Sequence, residues 1–201
     1  MINLAISIVI AYLIGSIPTA YIFGKLIKGI DIRNYGSGNV GATNLFRVVG
    51  KVPGVISLFI DMLKGYLPVV ILPIFFSINS NSLTPDSYKL LLGASAIMGH
   101  VWPVFLKFKG GKGVATTAGV VLAIMPIVFL ISFAMWIFVF LALRYVSLAS
   151  IFAALTMPIA VMLLKRPFST IVFAVILCII GIYKHKTNIS RLLKGEEKRL
   201  F

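Results

Sequence analysis

The chain has 201 residues, 60% of them hydrophobic and only 12% charged, where an ordinary soluble domain is about 45–50% apolar and about 25% charged. That composition excludes a soluble globular protein. The 19 Lys and Arg against 5 Asp and Glu give a net charge of +14, but disordered and nucleic-acid-binding chains with such a charge lack this apolar content, so no nucleic-acid partner is expected.

At about 20 residues per membrane-spanning helix, the apolar stretches leave room for roughly seven spans. This predicts an all-α integral membrane protein, a seven-transmembrane-helix bundle forming one domain over residues 1–201. The first span is expected over residues 4–23. The run continues through Ser16 and Pro18 with neither a basic segment before it nor a small-x-small cleavage site, so it reads as a retained span and not a signal peptide. A basic loop with Lys25, Lys28, Arg33, Arg47 and Lys51 follows.

Residues 53–76 and 90–106 are the next two spans, with Asp61 and Lys64 reading as an ion pair inside the bundle. The segment 77–87 between them carries no Lys or Arg, whereas the loop after the third span carries Lys107, Lys109 and Lys112. Residues 114–143 would make a helix about 45 Å long, against a hydrocarbon core of about 30 Å. Pro126 near the middle can end one helix and open the next. Spans over residues 149–164 and 168–183 complete the set, separated by Lys165, Arg166 and Pro167.

Charge sets the topology. Under the positive-inside rule both basic loops and the tail with Lys184, Lys186, Arg191, Lys194, Lys198 and Arg199 are cytoplasmic, and 77–87 is external. The N-terminus is then outside and the C-terminus inside, which the split at Pro126 satisfies; a re-entrant segment there, with five spans, is the alternative. In the tail, Ile189, Leu192 and Leu193 recur at helical spacing beside Arg191 and Lys194, with Gly195 as a stop, which predicts a short interfacial helix.

Three cytoplasmic segments carry polar residues that a lipid-facing structure does not require. The first runs from Gly36 to Arg47. Glycines let the backbone approach an anion and aim N–H groups at it, while Ser, Asn and Arg add donors, so a phosphate site is the natural reading. Gly36, Gly38 and Gly41 match the dinucleotide-binding glycine spacing, but the preceding residues 30–35 contain Asp31, Arg33 and Asn34 and are no buried strand.

The second segment, residues 108–117, includes Lys109, Gly110, Gly111, Lys112 and Gly113 and enters a helix whose N-terminal N–H groups favour an anion. It is not a nucleotide P-loop, since Gly113 stands where Ser or Thr is required. The third holds His185, Asn188 and Arg191 on one helical face, with Gly195, Glu197 and Arg199 beyond it. Ser147 and Ser150 stand at the mouth of a span, where either could cap a helix or bind a ligand.

Taken together, the S-G-N-x-G-A-T-N-x-x-R run of residues 37–47, the G-H-x-x-P-x-F-x-x-F-K-G-G-K-G-V-A-T run of residues 99–116 and the H-x-x-N-x-x-R-L-x-x-G run of residues 185–195 closely resemble the three motifs of the bacterial membrane acyl-phosphate:glycerol-3-phosphate acyltransferases, the PlsY family. Gly15-Ser16-Ile17 and the 147–150 serine run match as well. The resemblance implies transfer of a fatty acyl group from acyl phosphate to the 1-hydroxyl of glycerol 3-phosphate, giving lysophosphatidic acid and phosphate as the first step of phospholipid biosynthesis. It implies a multi-pass protein of the bacterial inner membrane with its active site at the cytoplasmic face. By the same resemblance Ser37, Arg47, Lys112 and His185 are the catalytic residues. Gly38, Asn39, Thr43, Asn44, Gly110, Gly111, Gly113, Ser150 and Asn188 complete the substrate-binding set.

A cationic cluster with neutral donors suits two phosphate-bearing substrates, and acyl phosphate is already activated, so a phosphate oxygen of the donor can take the hydroxyl proton. The His-x4-Asp pair of soluble-type glycerolipid acyltransferases is absent, because Phe105 follows His100 and Ser190 follows His185 at that spacing. Cys178 is the only cysteine and the acids are scattered, so neither a metal nor another cofactor is expected. Membrane lipids and the two substrates are the expected partners of a monomer working beside an acyl-phosphate-forming enzyme. The competing reading is a small-anion transporter. It would need polar groups across the midplane, yet 67–76, 118–140 and 157–164 are nearly bare of charge.

Overall fold

The structure, a computed structural model, describes residues 2–76 and 83–200; of the expected external segment, residues 77–82 lie outside the described residues. Regular structure among the described residues is entirely helical, and the chain forms two compact units, Met1–Ile124 and Met125–Phe201.

In the first unit the expected first span lies within one stretch, Ile2–Lys28, long and apolar enough to cross a membrane, and is divided into two helices, α1 (Ile2–Ser16) and α2 (Thr19–Lys28). Hydropathy is continuous across the junction, but Pro18 has no N–H and its ring excludes the carbonyl four residues back, so the helical ladder stops. Ile17 N–H turns to the Ile14 carbonyl at 3.2 Å and Thr19 N–H to that of Ile17 at 3.1 Å. Lys25 and Lys28 therefore lie on a helix and not in a loop. That helix ends at Gly29, which adopts φ 68° and donates to the Lys25 carbonyl while Ile30 donates to that of Gly24, a glycine C-cap.

Then come α3 (Ala42–Val48), α4 (Lys51–Phe75), α5 (Pro85–Val101) and α6 (Val114–Ile124). Thr84 caps α5 by accepting the Ser87 N–H, with Pro85 in the first turn. α1 packs on α5 and α4 on α6. Lipid chains are as apolar as leucine, so close backbone approach has to supply the attraction between such helices. A methyl at Gly15 would lie 2.1 Å from the Ala96 carbonyl oxygen, and one at Gly119 1.9 Å from that of Met62.

The second unit comprises α7 (Pro126–Leu143), α8 (Val146–Leu163), α9 (Phe168–Lys184) and α10 (Lys186–Leu193), with α8 packed on both α7 and α9. The expected break at Pro126 is present: α6 stops at Ile124 and the proline occupies the first turn of α7. At 11 residues α6 is about 16 Å long, half the thickness of the hydrocarbon core. Among the described residues five helical segments, α1 and α2 together forming one of them, are long and apolar enough to cross a membrane, or six if the α9–α10 pair, bent by 56°, is taken as one. Leu130, Phe138 and Leu141 of α7 are 60–70% exposed, untenable in water and natural against lipid. The protein is an integral membrane protein with several apolar helices.

Candidate active site

The first glycine-rich segment is an ordered loop built around Asn44, which is 1% exposed. Its Oδ1 accepts the Ser37 N–H at 2.9 Å, and its Nδ2 reaches the carbonyls of Ile32, Tyr35 and Asn39 at 3.2, 3.0 and 3.1 Å. Asn44, expected on the substrate, has its amide spent on the loop itself. Gly36 makes this possible. It sits at φ 62°, and a methyl there would come within 2.2 Å of Asn44 Oδ1.

The loop rests on a small core of Ala20, Ile32, Val40, Leu45 and Leu106. On that base Ser37, Gly38 and Arg47 are exposed and Asn39 and Thr43 half-buried. Beside it, Asp31 accepts the Arg33 N–H at 3.0 Å and pairs with its guanidinium at 2.7 Å, and Arg33 holds the Asp31 carboxyl down to about 2. Lys28 Nζ donates to the carbonyl of Val48, the last residue of α3, at 2.7 Å.

The second segment packs against the first. Leu106 belongs to the same core, and a methyl on Gly111 would lie 3.0 Å from the Val40 carbonyl oxygen. Gly111 N–H donates to the His100 carbonyl at 3.2 Å, which folds the loop back on the end of α5. Gly113 takes φ 82° directly before α6, so Lys112, half-buried, stands at the entrance to that helix between a buried Gly111 and a buried Gly113. The structure thus brings the loops carrying Ser37 and Lys112 together in one unit with Arg47, which lies in the last turn of α3 and not in the expected basic loop.

The third segment belongs to the second unit and is organised by a residue that sequence reasoning left in the tail. Glu197 accepts from Ser147 Oγ and Asn188 Nδ2, both at 2.6 Å, and from Arg191 Nε at 2.8 Å. Burial pushes its carboxyl up, but these hydrogen bonds and the Arg191 charge outweigh that and hold it below its ordinary value. His185 is the hinge between α9 and α10, 3% exposed, with Nδ1 2.8 Å from the Gly181 carbonyl. A carbonyl only accepts, so Nδ1 carries a proton, and Nε2 donates only in the imidazolium form.

The two serines depart from the capping expectation. Ser147 turns to Glu197, while Ser150 donates to the Val146 carbonyl at 2.7 Å and accepts from Trp136 Nε1 at 3.2 Å. The structure gathers Ser147, Asn188, Arg191 and Glu197 into one cluster; His185 adjoins it through α10, and Ser150 lies one turn beyond Ser147.

Fold and loops together define an all-helical membrane protein that presents basic, glycine-lined segments at its helix ends. Its sequence matches the glycerol-3-phosphate acyltransferase family model over residues 5–195. The chain belongs to that family. It is 46% identical over 192 residues to the glycerol-3-phosphate acyltransferase of Aquifex aeolicus (strain VF5), covering 96% of each chain. It is 43% identical over 199 residues to that of Staphylococcus haemolyticus (strain JCSC1435), covering 98% of each. It is also similar to crystal structures of PlsY, an integral membrane glycerol 3-phosphate acyltransferase. The glycerol 3-phosphate form superposes with a TM-score of 0.88 at 44% identity, over 98% of this chain and 94% of that one. The lysophosphatidic acid form gives 0.84 at 43%, with the same coverage.

Proposed function

We propose that this protein transfers a fatty acyl group from acyl phosphate to the 1-hydroxyl of glycerol 3-phosphate, giving 1-acyl-glycerol 3-phosphate and inorganic phosphate. The observation that carries the reading is a family match spanning residues 5–195 together with two glycine-lined loops, packed on each other, one bearing Lys112 and the other leading into α3 with Arg47 in its last turn. Relatives named for glycerol-3-phosphate acyl transfer support the acceptor, and the chemistry of the loops supports a donor whose leaving group is itself a phosphate.

In this reading the glycerol hydroxyl oxygen attacks the acyl carbonyl carbon, the carbon–oxygen bond to phosphate breaks, and the hydroxyl proton passes to a phosphate oxygen of the donor. No side-chain base is needed. In the first unit Arg47 and Lys112 neutralise phosphate charge and the developing oxyanion and Ser37 adds a hydroxyl donor; in the second unit protonated His185 supplies a further positive charge. Gly38, Gly110, Gly111 and Gly113 leave the backbone bare for close approach of the same anions, while the N–H groups of Gly38 and Gly111 are used within the loops by the Tyr35 and His100 carbonyls. Asn39 and Thr43 add neutral donors, Asn188 has a second amide hydrogen beside the one it donates to Glu197, the Ser150 hydroxyl is committed to the Val146 carbonyl, and Asn44 holds the first loop in shape.

We further propose seven spans, with α6 as a short one, the N-terminus outside and the basic C-terminus inside. The active site then faces the cytoplasm at the inner membrane, and a monomer takes its donor from a neighbouring acyl-phosphate-forming enzyme. The test is to supply purified protein in detergent with acyl phosphate and glycerol 3-phosphate and follow both products. Equal amounts of phosphate and lysophosphatidic acid support the reading; phosphate release without a glycerolipid overturns it.

A further inference from the structure

The first unit carries a buried charge cluster that the acyl-transfer reading leaves unused. Asp61 and Lys64 lie on α4, 2% and 6% exposed, with Nζ 2.7 Å from Oδ1. An ion pair in such surroundings is costly, and well-packed apolar residues hold a fold equally well. Its partners all lie where helices end. Lys64 Nζ donates to the Ile17 carbonyl at 2.8 Å, at the break between α1 and α2. Thr19, the first residue of α2, donates to Asp61 Oδ1 at 2.9 Å. His100, in the last turn of α5, brings Nδ1 to 3.8 Å from the same oxygen.

The far side of His100 is the phosphate loop. A methyl on Gly111 would lie 2.3 Å from His100 Nε2, and one on Gly110 2.2 Å from the His100 carbonyl oxygen. The Gly111 N–H donates to that carbonyl. Ser16, Asp61, Lys64, His100, Gly110 and Gly111 line one small pocket, so charge cluster and loop share a wall. One ring nitrogen of His100 therefore faces the carboxylate across 3.8 Å, and the other faces Gly111 with no room for a side chain between them.

We propose that Asp61, Lys64 and His100 are positioning residues. The ion pair clamps the α1–α2 break and fixes the His100 ring, and the ring sets the path of Gly110 and Gly111 and hence the placement of Lys112. The inference rests on the reading of that loop as a phosphate site. None of the three touches substrate; each acts through the backbone that presents Lys112.

The test uses the full chain in detergent. The double variant Asp61→Leu/Lys64→Met removes both charges at similar volume and is expected to keep its thermal stability. Initial rates with each substrate varied in turn should show KM raised about tenfold for one phosphate-bearing substrate, the same one whose KM Lys112→Ala raises, with the other within about twofold. His100→Asn keeps a polar group facing Asp61 but loses the ring edge against Gly111, and should raise the same KM. Both KM values within about twofold of wild type in the folded double variant would overturn the proposal, as would equal increases in both. Should the double variant not fold, His100→Asn decides by the same criterion. A wild-type protein that transfers no acyl group to glycerol 3-phosphate overturns the functional reading itself, a result distinct from either KM pattern.

Discussion

Replacing Lys112 by alanine isolates the loop cation from the fold. Its side chain is half-buried and flanked by two buried glycines, outside the apolar helix contacts, so its removal opens no cavity in the core. At about 4 Å a phosphate charge and an ammonium attract by about 1 kcal/mol in water and about 4 kcal/mol at the effective dielectric of about 20 found near protein surfaces. The loop is half-buried, and loss of one preorganised donor to a developing anion typically costs about 10²–10³ in rate. The expected result is therefore a loss of about 10²–10³ in kcat/KM with thermal stability unchanged, measured as lysophosphatidic acid formed by purified protein. Lys194→Ala, an exposed cation at the end of α10, is the control. A Lys112→Ala rate within about threefold of wild type, under 1 kcal/mol, would refute the phosphate site.

Glu197→Gln should destabilise the second unit by about 2–4 kcal/mol, because two neutral donors lose a charged acceptor and the new amide can turn its N–H groups on Arg191 Nε. The Glu197 carboxyl is held low in the folded state, so its contribution is present above its ordinary value of about 4.5 and is lost as pH falls below it; thermal melts of wild type from pH 7 to 3.5 should fall more steeply than those of the variant. Single cysteines at Lys109 and Lys198 in a Cys178→Ser background should both label from the cytoplasmic side, and external labelling of Lys198 would contradict seven spans. Turnover should survive both a chelator and Cys178→Ser, since Cys178 is buried within α9 and the proposed chemistry uses neither metal nor thiol; a chelator loss restored by one ion would contradict this.

The break at Pro126 was legible because a proline interrupts a run too long for one span. The break at Pro18 was equally written in the residues, but the surrounding length suited a single span, and hydropathy carries no information about a missing N–H. The Asp61–Lys64 pair could be read from helical spacing alone, whereas its link to Gly111 through His100 could not, because that link joins α4, α5 and a loop. Asn44 shows a different limit. An amide that binds substrate and one that latches a loop are the same residue in sequence, and only four hydrogen bonds to Ser37, Ile32, Tyr35 and Asn39 tell them apart. Glu197 lies in a run of charges that resembles a solvated tail, so its three partners became visible only once α8 and α10 were in place.

The most direct measurement is a donor comparison on the purified protein. Acyl phosphate, acyl-coenzyme A and acyl-carrier protein of one chain length are each supplied with glycerol 3-phosphate, and lysophosphatidic acid and free phosphate are followed together. Turnover with acyl phosphate alone, releasing phosphate and lysophosphatidic acid in equal amounts, is the predicted result. Turnover with either thioester and none with acyl phosphate would contradict it.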